Sequence, residues 1–111
     1  MSWAANEMAT ASFGDQRLNQ RCASLLDTLG AKPTLSIPAA VRGATETHAA
    51  YRFFDNSKVS AEKVLEPHAA ATLERARSER VALAIQDTTE LDYTGKNDIV
   101  GLGPLSYVAL H

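Results

Sequence analysis

A single cysteine, Cys22, stands among the 111 residues of this sequence. That excludes a disulfide scaffold and any cysteine-based zinc finger. Six glycines and four prolines are too few for a collagenous or low-complexity chain. No apolar run approaches the ~18 residues of a membrane span, so no membrane partner is expected. The opening MSWAANEMATASF lacks a basic start and an apolar centre, which argues against a signal peptide and for a cytoplasmic protein. Basic side chains are also not in excess: eleven stand against thirteen acidic ones, a net charge of -2. A uniformly basic, histone-like binder is therefore excluded. No internal repeat is present. What remains is ordinary globular material, 45% hydrophobic and 22% charged, with the length of one small domain of roughly 100–200 residues.

The charge is divided unevenly. Residues 1–80 carry ten basic and nine acidic side chains, a net of +1. Residues 81–111 set Lys96 against Asp87, Glu90, Asp92 and Asp98, a net of -3. The first part suits an anionic partner and the second a cation, although neither balance decides the matter.

Helical spacing fills the first part. Leu18, Cys22, Leu25, Leu26 and Leu29 make one apolar stripe over residues 15–29, with Gly30 placed as a left-handed cap and Pro33 barring continuation. Ser36-Ile37-Pro38 starts a short helix that ends at Gly43. Thr45 is placed to cap another helix through Phe54, closed by Asp55-Asn56. Two short helices joined at Gly43 have the outline of a helix-turn-helix. Ser60 caps a helix from Ala61 to Glu66, and Pro67 starts or kinks its continuation to about Ser78. Ala69, Ala70, Leu73 and Ala76 give that continuation a small apolar face on which a neighbouring helix can approach closely. From Val81 the period shortens. Val81-Ala82-Leu83-Ala84-Ile85 reads as a buried strand turning polar at Asp87. Residues 105–110 read as a second, antiparallel strand. Two such strands cannot bury an apolar face alone, so either the helical part covers them or the chain is a fragment of something larger, and the fragment is the expectation. The fold class expected is mainly α, with a β-hairpin at the end.

Four segments in order then carry a resemblance. They are Phe13-Gly14-Asp15-Gln16-Arg17-Leu18-Asn19-Gln20-Arg21, Ser36-Ile37-Pro38, Glu46-Thr47-His48-Ala49-Ala50-Tyr51-Arg52-Phe53-Phe54-Asp55-Asn56, and Ile85-Gln86-Asp87-Thr88-Thr89-Glu90-Leu91. Together they resemble the amino-terminal part of bacterial insertion-sequence transposases of the insertion-sequence-four, Tn-five-like class. The resemblance implies a helical DNA-binding domain over residues 1–80. It implies that residues 81–111 begin an RNase-H-like α/β catalytic domain, truncated after its first two strands. It also implies nucleoid association, double-stranded transposon ends as partner and a homodimer in the complete protein. Such enzymes hold Mg2+ or Mn2+ with two Asp and one Glu, and Asp87 matches the first Asp. The others lie beyond this sequence, so no metal is expected to bind this chain tightly and the chain alone is expected to be inactive as a nuclease.

Each candidate residue has a plainer reading beside the functional one. Asp87 can cap a turn or pair with a base; in the complete enzyme it would be a catalytic metal ligand, hard oxygen donors being what magnesium takes. Glu90 and Asp92 are read as solvated. Arg17, Arg21, Arg42, Arg52 and Lys58 are scattered surface charge or phosphate contacts, and Arg17 and Arg21 share a helix face. Thr45, Glu46, Thr47 and His48 open the second helix of the pair. They are a cap and a dipole-complementing first turn, or the residues that meet base edges in a major groove, or both. Tyr51, Phe53 and Phe54 are read as core rather than as base-stacking aromatics. Trp3 sits in an amino terminus expected to fray and to pack onto the helices. Cys22 is read as a small buried hydrophobe. His48, His68 and His111 lack any zinc spacing. Gly101-Leu102-Gly103 is a turn and not a dinucleotide fingerprint. The function expected is a transposase fragment that binds transposon-end DNA. Its rivals are a stand-alone DNA-binding protein or transposition inhibitor, and a protein-interaction module.

Overall fold

Capping residues start three of the helices found in the computed structural model, which describes residues 2–88 and 100–101. Ser2 Oγ accepts the N–H of Ala5 at 3.1 Å, Asp15 Oδ1 that of Arg17 at 2.9 Å, and Ser60 Oγ that of Lys63 at 3.2 Å. Each satisfies a backbone donor that has no partner within its helix. In chain order the elements are α1 (Trp3–Glu7), α2 (Gln16–Gly30), α3 (Ile37–Val41), α4 (Ala44–Phe54) and α5 (Ala61–Arg77).

The apolar stripe of α2 does what its spacing predicts. Cys22 and Leu25 are buried, together with Met8, Phe13, Ala50 and Phe53, and Leu18, Leu26, Ile37, Val41, Val59 and Val64 close around them. Phe13 and Phe53 meet edge to face with ring centroids 5.8 Å apart, a favoured aromatic geometry. α2 packs against α1, α3 and α4, and α5 packs against α1.

Several expectations need correction. The amino terminus does not fray: α1 is capped, buries Ala4 and is followed by buried Met8. Gly30 is not a left-handed cap. It is the last residue of α2, and Ala31 follows in right-handed conformation at φ -70°. Its lack of a side chain serves another end, because a Cβ there would stand 2.7 Å from Cζ2 of Trp3. Thr45 does not cap α4; Gly43 does, at φ 121°, a backbone conformation that favours glycine. Of the two alternatives at Pro67, a new helix does not start there: α5 runs as one helix through Pro67, which is fully buried near α1. Burial of the ring there offsets the missing backbone bond. Of the three aromatics on α4 only Phe53 is core. Tyr51 and Phe54 are about half exposed, since at 100° per residue they fall outside the sector that Ala50 and Phe53 share. Ala69, Ala70 and Leu73 of α5 are exposed and Ala76 is half-buried, but Ala70 and Leu73 do face a neighbouring helix, lining with Asn6 and Glu7 of α1 a shallow cleft between α1 and α5.

No strand forms among the described residues. Residues 81–88 leave α5 without regular structure, and Val81, Leu83 and Ile85 are at least three-quarters exposed. A strand exists only by its hydrogen-bonded partner, and the second strand expected, 105–110, lies outside the described residues, as do Glu90, Asp92 and His111.

Candidate nucleic-acid interface

The turn into α2 is tied down before the helix begins. The N–H of buried Phe13 donates to Asn19 Oδ1 at 3.0 Å across six residues. Asp15 then caps the helix, and Arg17 and Arg21 follow one turn apart on its exposed face. α4 lies alongside and contributes Ala49 and Arg52, and Asn56 follows it. Asp15, Arg17, Leu18, Arg21, Ala49, Arg52 and Asn56 together line an open groove of about 300 Å³. Three arginines that are up to 35 positions apart in the sequence, Arg17, Arg21 and Arg52, thus meet in one place.

The groove carries net positive charge. Asp15 accepts from the backbone N–H of Arg17 and lies 3.4 Å from its Nε and 3.3 Å from its Nη2. These bonds, the backbone one foremost, hold the Asp15 carboxyl below the usual carboxylate range, and Lys58 adds to the effect. Asp15 is therefore ionised at neutral pH and offsets part of the arginine charge. Among the described residues neither Arg21 nor Arg52 pairs with a carboxylate.

The remaining sequence candidates do not line this groove. Thr45, His48 and Arg52 are exposed and recur at helical spacing, so they share the outer face of α4. Glu46 stands in the first turn, as its role beside the helix dipole requires. Thr47 spends its hydroxyl proton on the carbonyl of Gly43 at 2.7 Å. Arg42 is exposed in the turn between α3 and α4, at φ 52°, and is not among the groove residues. Lys58 lies beyond Asn56, and its carbonyl accepts from Lys63 Nζ at 3.2 Å. Asn56 itself was missed by sequence reasoning, which took it only as a helix stop. Its position at the end of the Glu46–Asn56 segment was the one signal available.

Residues 1–59 match a family model described as transposase DNA-binding. The chain belongs to the transposase DNA-binding family. The match covers α1 to α4, every residue that lines the groove, and the whole buried core from Ala4 to Phe53. It supports a role on transposon DNA and makes DNA the partner of this region. No solved structure matches the chain. Among the described residues no helix is long and apolar enough to cross a membrane.

Asp87 stands apart from all this. It is exposed on the irregular segment, and its Oδ1 accepts the N–H of Thr88 at 2.8 Å. Among the described residues no three His, Cys, Asp or Glu side chains converge as a metal site would require. One exposed carboxylate does not fit a divalent ion that takes several oxygen ligands, and no chemical step is derived through it. His68 is likewise no ligand. Its Nδ1 lies 2.5 Å from Glu7 Oε1, while Arg75 Nη1 lies 2.6 Å from Glu7 Oε2. Arg75 first, then His68, pull the Glu7 carboxyl down to about 2.

Proposed function

We propose that this chain binds double-stranded DNA at the ends of a transposon through the face formed by α2 and α4. Arg17, Arg21 and Arg52 take phosphate oxygens, and Arg42 and Lys58 add contacts at the edges of the same face. The α3–α4 pair acts as a helix-turn-helix, with α4 entering the major groove. Thr45 and His48 on its outer face, with Glu46 and Thr47 at its start, meet base edges. The observation that carries this reading is the convergence of three arginines on one groove inside the family-matched residues.

The wider reading follows the order of the motifs. The protein is of the insertion-sequence-four, Tn-five-like class, and residues 81–111 begin an RNase-H-like domain. In a complete enzyme that dimerises on DNA, Asp87 would supply one carboxylate toward Mg2+ or Mn2+, the rest of the ligand set coming from other residues. The chain alone binds DNA without cutting it. A magnesium-dependent nicking activity of the purified chain that disappears in Asp87→Ala would overturn that statement.

Binding is tested by fluorescence anisotropy with a labelled duplex over a salt series. Counterion release makes log affinity fall linearly with log salt, with a slope of about 0.9 per phosphate neutralised. The double substitution Arg17→Ala, Arg21→Ala should weaken binding to all duplexes and flatten the slope by about two. An unchanged slope would remove both residues from the interface. Failure of the folded chain to bind any duplex at low salt would favour a protein-interaction role instead.

A further inference from the structure

Asn56 carries no assigned role, yet it lines the groove beside the three arginines. Its backbone is held at both ends: its N–H donates to Phe53 O at 3.2 Å, and its carbonyl accepts from Val59 N at 2.9 Å. Its side chain is held as well. Oδ1 accepts the backbone N–H of Lys58 at 2.9 Å. Since an N–H can donate only to the amide oxygen, that bond also settles which end of the amide is which. The two N–H donors on Nδ2 are left over, and among the described residues they make no hydrogen bond. The side chain is partly buried and none of its polar atoms is buried without a partner, so these donors face water rather than protein.

A neutral donor whose orientation is locked by the backbone costs little entropy to use. The arginines around it are long side chains that must be ordered when they bind. From this arrangement we infer that Asn56 is a fixed phosphate ligand, donating from Nδ2 to a phosphodiester oxygen held in the groove by Arg17, Arg21 and Arg52. The inference rests on the DNA-binding reading of the same groove and deepens it. The arginines attract the backbone, and Asn56 sets where one phosphate sits and hence the register of α4 on the duplex. A phosphodiester is a sequence-independent target, so the contact acts on any duplex.

The test uses the full chain, a labelled duplex of arbitrary sequence, and two substitutions. Asn56→Asp keeps an oxygen for the Lys58 N–H but replaces the donors with a negative charge. Asn56→Ser keeps a hydroxyl oxygen for the turn and removes the amide donors without adding charge. With both variants melting close to the wild type, Asn56→Asp should abolish measurable binding. Asn56→Ser should weaken it about tenfold, the worth of a hydrogen bond to a charged oxygen. The salt slope of Asn56→Ser should stay that of the wild type, because no cation has been removed. Wild-type affinity in Asn56→Ser overturns the inference and leaves the arginine groove standing. A Ser variant whose slope falls by about one has lost a cation contact, which overturns the assignment to the amide. Absence of binding by the wild-type chain itself would instead overturn the reading beneath it. An added excess of inorganic phosphate should compete only as ionic strength does; specific displacement by it would mean a free-phosphate site and overturn the duplex assignment.

Discussion

Residues 2–59 and residues 60–88 are built on different terms. Among the described residues, all eight buried apolar residues of the core, from Ala4 to Phe53, lie in the first stretch. The second holds the longest helix, α5, with seventeen residues, yet Pro67 is its one buried residue. α5 is attached by Val64 against the core, Pro67 near α1, and the polar contacts of Glu7 with His68 and Arg75. Beyond it, Val81, Leu83 and Ile85 are exposed. The family match ends at residue 59, where the buried core also ends. The lesson is that helix formation and burial are separate achievements. α5 has a cap, an acidic first turn and basic residues in its last turn, which suffice to form a helix, while the packing that stabilises the domain is made by shorter helices.

This contrast can be broken most forcefully at Phe13. Phe13→Ala removes a ring that is 2% exposed and should cost about 3–5 kcal/mol. Denaturant unfolding should show the loss, DNA binding should fall with it, and buried Cys22 should become reactive to thiol reagents. Equal stability would mean that the first stretch is not held by its core. Next comes Gly43→Ala, at φ 121° and ψ 147°, a conformation adopted almost only by glycine. About 1–3 kcal/mol of stability should be lost, and with it the setting of α4 against α3. A cost no larger than that of an ordinary surface substitution would refute the strain.

Glu7 sharpens the boundary between the two stretches. Its folded pKa, about 2, lies below the unfolded value of 4.5. The contribution is therefore complete above about 4.5 and is lost as pH falls toward 2. Hydrogen exchange should show α5 loosening over that window before α2 and α4 do. Glu7→Gln should give the same loosening at neutral pH while leaving DNA affinity unchanged. Uniform loosening of the whole chain would erase the distinction. The smallest effect is expected at Gly30. Gly30→Ala places a methyl 2.7 Å from the Trp3 ring, but that ring is half exposed and can move. Helix propensity gains about as much as the shift costs, so stability should change by less than ~1 kcal/mol. The fluorescence of Trp3, the single tryptophan, should nevertheless change. An unaltered spectrum would show that the two do not touch.

Much of the helical part could be read from spacing. The stripe of α2, the start of α3 at Ser36-Ile37-Pro38, the cap at Ser60 and the burial of Cys22 follow from local periodicity and local hydrogen bonding. The errors share a cause. At Gly30 and Thr45 the usual role of the residue at a helix end gives way to a neighbour distant in sequence or to the adjacent turn, and at Pro67 burial against a distant helix lets the helix continue instead of starting anew. Gly30 answers to Trp3, Pro67 to α1, and Thr45 yields to Gly43. Tyr51 and Phe54 were misplaced because a short helix in a small domain has room for few buried sectors. The expected strands depend on partners outside the described residues, so their pattern has no counterpart among residues 81–88.

The candidate site divides along the same line. That Arg17 and Arg21 share a face, and that Thr45, His48 and Arg52 share another, is a matter of helical geometry and was present in the residue order alone. That Arg17 and Arg21 come together with Arg52, Asn56 and Asp15 in one groove was not. Side-chain periodicity is a local property of one helix, while the angle between two helices is set by which buried groups interlock. Here the packing of Phe13 on Phe53, with Ala50 and Leu25 around them, brings α4 alongside α2 and turns scattered cations into one groove.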